Sequence, residues 1–167
     1  MAIKHMVASV LAAAGLHGPA AAADAPDDLI DRGAYLARIM LCGDCHSPRG
    51  PEGEIDETRA LGGASIGFEV PGLGVFFPPN LTPDAETGLG SWSDAEILTA
   101  LRTGERPDGR LLAPIMPWQF FSVLNEADGT ALVAYLRSLP SVSHRVPVPT
   151  GAGERPLGPY LAVIAPE

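Results

Sequence analysis

Apolar positions along the chain fall into three stretches with helical period, separated by long segments that have none. From Asp27 to Leu41, Leu29, Ile30, Leu36, Ala37, Met40 and Leu41 recur at helical spacing and predict a first helix. Asp27 or Asp28 can cap its N-terminus, where acidic groups also suit the helix dipole. Gly33 lowers helix stability relative to alanine, so it is either a close-packing point for another element or incidental. A second helix is predicted in "SWSDAEILTALRTG", with Ser93 and Glu96 as a capping box, Ile97, Leu98 and Leu101 as the apolar stripe, and Gly104 as the stop. A third lies in "NEADGTALVAYLRSLP", capped by Asn125 and ended by Pro140, with Leu132, Val133, Tyr135 and Leu136 able to pack.

Residues 47–90 are punctuated by nine Gly and six Pro, which predicts a long loop region with little regular structure. A loop of that length inside a 167-residue chain needs a reason, either disorder or wrapping around a bulky group. The apolar content of "IGFEVPGLGVFF", Ile66 to Phe77, favours wrapping, because disordered segments are poor in such residues. Residues 141–167 read as an extended Pro/Gly-rich tail lying on the domain, and no internal repeat or second domain is visible.

The first residues have a different character. A short basic start (Lys4, His5), an apolar run from Met6 to Leu16 and an Ala-rich segment have the layout of a secretory signal. Cleavage is expected after Ala23 or one residue earlier, giving an exported chain, soluble or peripherally associated, with periplasmic localisation. The apolar run is too short to cross a bilayer, and no later segment is apolar enough to do so. Lys4 is the sole lysine, so removing residues 1–23 leaves only arginines as cations and moves the net charge from −9 to −10. Such an acidic chain is not expected to bind nucleic acid, whose phosphates need a basic face.

The chemistry concentrates in "CGDCH", residues 42–46, which holds both cysteines of the chain. A disulfide between Cys42 and Cys45 would close a very small loop for little entropic gain. A redox dithiol of the same spacing needs a βαβ setting, whereas this motif follows a helix and precedes a Gly/Pro loop. A zinc site needs more protein ligands than the flanking sequence supplies, with only His144 and the carboxylates left to complete one. Covalent attachment of a c-type haem uses every residue: each thiol adds across one vinyl group, and His46 then lies under the iron as an axial ligand.

A six-coordinate iron requires one further ligand. Met116, in "LLAPIMPWQ", is stiffened by Pro114 and Pro117, and Pro114, Ile115 and Trp118 are expected to exclude water. Met40 lies on the attachment side and reads as a core residue of the first helix. His144 reads as a solvated surface histidine. His/Met ligation fills both axial positions and raises the reduction potential, which suits one-electron transfer rather than substrate binding. The alternative is a haem enzyme or gas-binding cytochrome with an open iron site.

Taken together, "RGAYLARIMLCGDCH", "APIMPW" and "ALVAYLRSLP" resemble class I cytochrome c. More narrowly, "NLTPDAETGLGSWSDAEILTALRTGERPDGRLLAPIMPW" is similar to cytochrome c subunits that accept electrons from periplasmic dehydrogenases for alcohols, sugar acids and aldehydes. The resemblance covers roughly residues 28–150 and implies an all-α fold in which the first and last helices cross near Gly33 and Leu132–Leu136. It implies covalent haem c, with its iron, at Cys42 and Cys45, and axial His46 and Met116. It also implies that Pro78 or Pro79 accepts the proton of the His46 ring, and that Asn80, Thr82, Trp92 and Arg110 are candidates near the haem propionates. The implied partners are redox proteins, a dehydrogenase as donor and an oxidase or another cytochrome as acceptor, with this chain the carrier and not the catalyst. Subunits of that kind often carry three haem motifs and a membrane anchor, and this chain has one motif. The expected organisation is a cleaved signal over residues 1–23, a cytochrome domain over 24–142 and a packed tail over 143–167.

Overall fold

A computed structural model describes residues 26–164. The expected signal segment therefore lies outside the described residues. Helix α1 runs Asp27–Ile39, α2 Cys42–His46, α3 Asp94–Thr103, α4 Trp118–Phe121 and α5 Glu126–Ser138. A single 3-10 turn spans Glu57–Arg59. Four short strands, β1 Gly67–Val70, β2 Gly74–Phe76, β3 Thr150–Gly151 and β4 Tyr160–Leu161, form one sheet in the order β3-β2-β1-β4.

The three long helices fall where their periodicity places them, with small differences at the ends. Pro26 rather than an aspartate occupies the N-cap of α1; Asp27 and Asp28 lie inside its first turn, where they face the positive end of the dipole. The capping box of α3 is complete, Ser93 and Glu96 each bonding the other's backbone N–H, and Gly104 closes that helix at φ 75°. Asn125 caps α5 by accepting from the Asp128 N–H at 2.8 Å.

The all-α expectation is corrected by the sheet. The apolar segment expected to wrap a bulky group is a hairpin, pairing Phe68 with Phe76 and Val70 with Gly74. Gly72 and Gly74 take positive φ at the reversal, a region glycine enters without steric cost. The C-terminal tail then extends the hairpin on both sides. Val75 pairs with Thr150 in antiparallel register, and Gly67 with Tyr160 in parallel register. These partners lie more than 70 residues away in the sequence, beyond the reach of any local pattern.

Crossing of α1 over α5 organises the core. Leu36, Ala37 and Cys42 meet Leu132, Val133 and Leu136, and Ile97, Leu101, Leu89 and Phe121 complete the cluster. Each fully buried leucine of this kind contributes about 2 kcal/mol of transfer free energy. Gly33 stands at the crossing: a Cβ there would fall on the Ala131 carbonyl and lie 2.6 Å from the Tyr135 Cβ. Close packing, not chance, therefore accounts for the mid-helix glycine. At the rim Arg32 and Asp128 form an ion pair at 2.8 Å, and the arginine holds the Asp128 carboxyl below its ordinary range.

Gly33→Ala should accordingly destabilise the protein by about 3 kcal/mol, because the obstruction is backbone and cannot rotate away. Urea unfolding of the variant beside wild type measures this, and a change near zero would mean that the helices do not cross at Gly33.

Candidate functional site

The motif forms a helical turn of its own. After Met40 ends the first helix, Leu41 adopts the left-handed conformation at φ 58°, a strained choice for a leucine, and redirects the chain into α2. Cys42 and Cys45, three residues apart, then share one face of α2. Cys42 is buried in the core cluster and Cys45 is half-buried, and the two form no disulfide with each other. Burial pushes the Cys42 thiol up to about 11, and burial followed by the nearby Asp44 charge also pushes Cys45 up. A redox dithiol needs the opposite, a thiolate stabilised by an electropositive setting. Among the described residues no three His, Cys, Asp or Glu side chains gather closely enough to hold an ion.

His46 is 5% exposed, and its Nδ1 lies 2.8 Å from the Pro79 carbonyl oxygen. A carbonyl only accepts, so Nδ1 carries the proton and donates it. Burial pushes the imidazole pKa down, with the bond to Pro79 acting partly against that shift. A neutral ring protonated at Nδ1 leaves the Nε2 lone pair free for a metal. Of the two prolines expected at this position, Pro79 makes the bond; the Pro78 carbonyl is taken by the Ala64 N–H at 3.0 Å. Further bonds fix the ring's backbone. The His46 carbonyl accepts from Gly63 at 2.7 Å, and the buried Ser47 Oγ accepts from the Leu61 N–H at 2.9 Å. The roles of Ser47 and Leu61 carry no sequence signal, since a serine hydroxyl meets a backbone N–H 14 residues away across a loop.

Met116 is held by the end of α3. Leu112 N–H bonds the Gly104 carbonyl at 2.8 Å, Glu105 bridges Leu111, and the Trp118 indole packs on the face of Gly104. Met116 itself is half-buried and packs on the same core cluster that contains Cys42. Trp118 packs against Gly104, whereas Pro114 and Ile115, expected to exclude water, are exposed, Ile115 at 46%. Met40 packs on the core, as its helical position suggests. His144 is not a solvated surface residue: its Nδ1 is bonded to the Gly62 carbonyl at 2.8 Å.

The four residues proposed near propionates are differently engaged. Asn80 and Thr82 are buried, with side chains bonded to protein groups. Arg110 is exposed and paired with Asp108, whose carboxyl it holds down at about 2. Trp92 packs on the core with the Arg106 guanidinium 5.4 Å from its ring. The buried Nε of Arg106 finds no hydrogen bond, its contact with Asp108 at 3.5 Å being a weak ion pair only. A cavity of about 420 Å³ opens beside Cys45, bordered by Ser47, Ala64, Phe68 and Leu161 but not by His46 or Met116.

Two neutral thiols on one face of a turn, next to a buried histidine whose Nδ1 is committed to a carbonyl, fit a flat covalent group with a central metal. Residues 30–140, more than half of the chain, match the cytochrome c family model. The chain belongs to the cytochrome c family. Its cofactor is covalent haem c with iron, and Cys42 and Cys45 fit the attachment motif of this cytochrome. It is 37% identical over 115 residues to the cytochrome c subunit of alcohol dehydrogenase (quinone) from Komagataeibacter europaeus, a match covering 67% of this chain and 22% of that protein. It is 35% identical over 118 residues to the corresponding subunit from Gluconobacter oxydans, covering 71% and 23%. With the cytochrome c subunit of gluconate 2-dehydrogenase from Pantoea cypripedii the identity is 36% over 135 residues, covering 80% and 28%. The cytochrome thus spans less than a third of the length of each of these curated relatives.

Because Gly104 has φ 75° and touches Trp118, Gly104→Ala should cost about 2 to 4 kcal/mol and loosen the Met116 loop. Trp fluorescence and the unfolding midpoint report this together; a variant unchanged in both would separate the loop from its anchor.

Proposed function

We propose that this cytochrome is a periplasmic one-electron carrier, with haem c held by Cys42 and Cys45 and its iron bound by His46 and Met116. The observation that carries the reading is the 2.8 Å bond from the buried His46 Nδ1 to Pro79, which presents Nε2 as a ligand. When bound, the haem supplies a reversible ferrous–ferric couple. The chain's residues do the rest. Cys42 and Cys45 hold the group on α2, Pro79 orients the ring of His46, and Trp118 with Gly104 positions Met116. Filling both axial positions leaves no open place for a substrate, so the chain acts as carrier and not as catalyst.

The donor we infer is a periplasmic dehydrogenase, supported by relatives that are cytochrome subunits of alcohol and gluconate dehydrogenases. The acceptor is an oxidase or another cytochrome. Export follows from the signal reading of residues 1–23; no helix among the described residues is long and apolar enough to cross a membrane. Residues 24–142 then form the cytochrome domain and 143–167 the tail packed on it, a division supported by the strands that the tail adds to the hairpin.

Electron exchange with the donor is assigned to the Met116 loop and the short helix α4 that follows it. Ile115 is exposed there, and Phe120 and Val123 are 78% and 84% exposed on a strongly acidic chain. Trp118, by contrast, turns inward onto Gly104. A small apolar contact of this kind suits transient redox pairing.

Two outcomes are expected. The oxidised, haem-loaded protein should show the weak far-red band of methionine sulfur on ferric haem. Met116→Ala should abolish it, lower the potential and open the iron to carbon monoxide, with the haem still attached. If the wild-type protein lacks the band and binds carbon monoxide readily, a haem enzyme or gas-binding cytochrome is the correct reading. Separately, Phe120→Asp should slow electron transfer from the donor at least tenfold with an unchanged potential, read by stopped-flow mixing; equal rates would remove this face from the pathway.

A further inference from the structure

The tail does more than complete the sheet. Residues 141–146, where the domain passes into the tail, cross the loop that supplies the Pro79 carbonyl, and the crossing is made through one buried side chain. Asn80, next in sequence to Pro79, is 1% exposed and uses its full hydrogen-bonding capacity. Its Oδ1 accepts from the Thr82 N–H at 2.9 Å and from the Thr82 hydroxyl at 2.7 Å. Its Nδ2 donates to the Val142 carbonyl at 2.6 Å and to the Thr87 hydroxyl at 3.0 Å. The two bonds to Thr82 are local, and a turn would explain them. The bond to Val142 spans 62 residues and no local turn requires it.

The tail is reciprocally fixed. The Val142 N–H bonds the Thr82 hydroxyl at 3.1 Å, and the His144 N–H bonds the Thr87 hydroxyl at 3.1 Å. Side chains of the tail fill the space left by two glycines. A Cβ on Gly62 would lie 2.9 Å from Val142 Cγ1, and one on Gly63 would lie 2.6 Å from Val146 Cγ1 and 3.1 Å from the Asn80 nitrogen. Gly63 is also the donor to the His46 carbonyl. His46 is therefore gripped at its ring by Pro79 and at its backbone by Gly63, and the tail covers both grips.

We propose that Asn80 is a positioning residue for His46, coupling the C-terminal tail to the Pro79 carbonyl and thereby setting the reduction potential. This rests on the reading of His46 as the axial ligand. A histidine that donates its second N–H to a firmly held carbonyl is a stronger donor to the metal, which favours the ferric state. Loosening Asn80 weakens that bond, makes the ring a weaker donor and raises the potential. Mere opening of the fold to water acts in the other direction, because water favours the more highly charged ferric state. The sign of the change separates positioning from simple destabilisation.

The test uses the full haem-loaded chain with Asn80→Ala, Thr82→Val and Thr82→Ser. Thr82→Val removes the hydroxyl that links Asn80 to Val142 while conserving shape; Thr82→Ser keeps it. The readouts are the reduction potential and the solvent exchange rate of the His46 Nδ1 proton by NMR in the ferrous state. Asn80→Ala and Thr82→Val should speed exchange at least tenfold and raise the potential, and Thr82→Ser should match wild type in both. If Asn80→Ala fails to fold, the valine and serine pair decides alone. Unchanged exchange in Thr82→Val, or a lowered potential, overturns the proposal. The wild-type spectrum checks the underlying reading: His46 ring protons without the large shifts of an iron ligand would overturn that reading and this proposal together.

Discussion

Much of this structure depends on one hydrogen bond, from the His46 ring to the carbonyl of Pro79. It joins the motif helix to a loop 33 residues away, fixes the tautomer, and leaves the other ring nitrogen with a free lone pair. A proline suits the acceptor position, because its backbone has no N–H and its φ is restrained. Around it the chain places neighbours that are themselves satisfied, with Ala64 on Pro78, Leu81 on Leu61 and Gly63 on His46. Buried polar groups left unpaired are costly, so a network of this kind is stable only when nearly complete.

The core serves the same end from another side. The crossing of α1 and α5 at Gly33 places the end of the first helix, and hence Leu41 and α2, against a rigid support. Cys42 belongs to that core and Met116 packs on it. The motif and the methionine, distant in sequence, are thus referred to one packed cluster. Dense packing transmits position with little slack. Around this, the sheet and tail act as a cover, with Leu161 reaching the cavity beside Cys45.

The membership in the cytochrome c family and the similarity to subunits of larger dehydrogenases agree on the type of chemistry. On the proposed carrier role, the exposed apolar rim around Phe120 and Val123 of this acidic chain would serve brief contacts, in which charge sets the rate of encounter and the apolar patch the final fit.

Local rules made the three long helices, their caps, the stop at Gly104 and the significance of Cys42, Cys45 and His46 legible in the sequence, because each depends on residues within one or two turns. Gly33 was legible as an exception whose cause lay elsewhere. The sheet was not: β1 and β2 are short, and they gain partners only from residues 150–161. Nor were the choice of Pro79 over Pro78, the inward turn of Trp118, the bond from His144 to Gly62, or the burial of Asn80 under the tail. Residue type and spacing by themselves determined the attachment chemistry, since covalent capture of a cofactor needs particular side chains at fixed separations. Which carbonyl holds the histidine, and what covers it, was decided only by tertiary structure, because those choices are made by backbone groups that every residue carries and only the folded chain can tell apart.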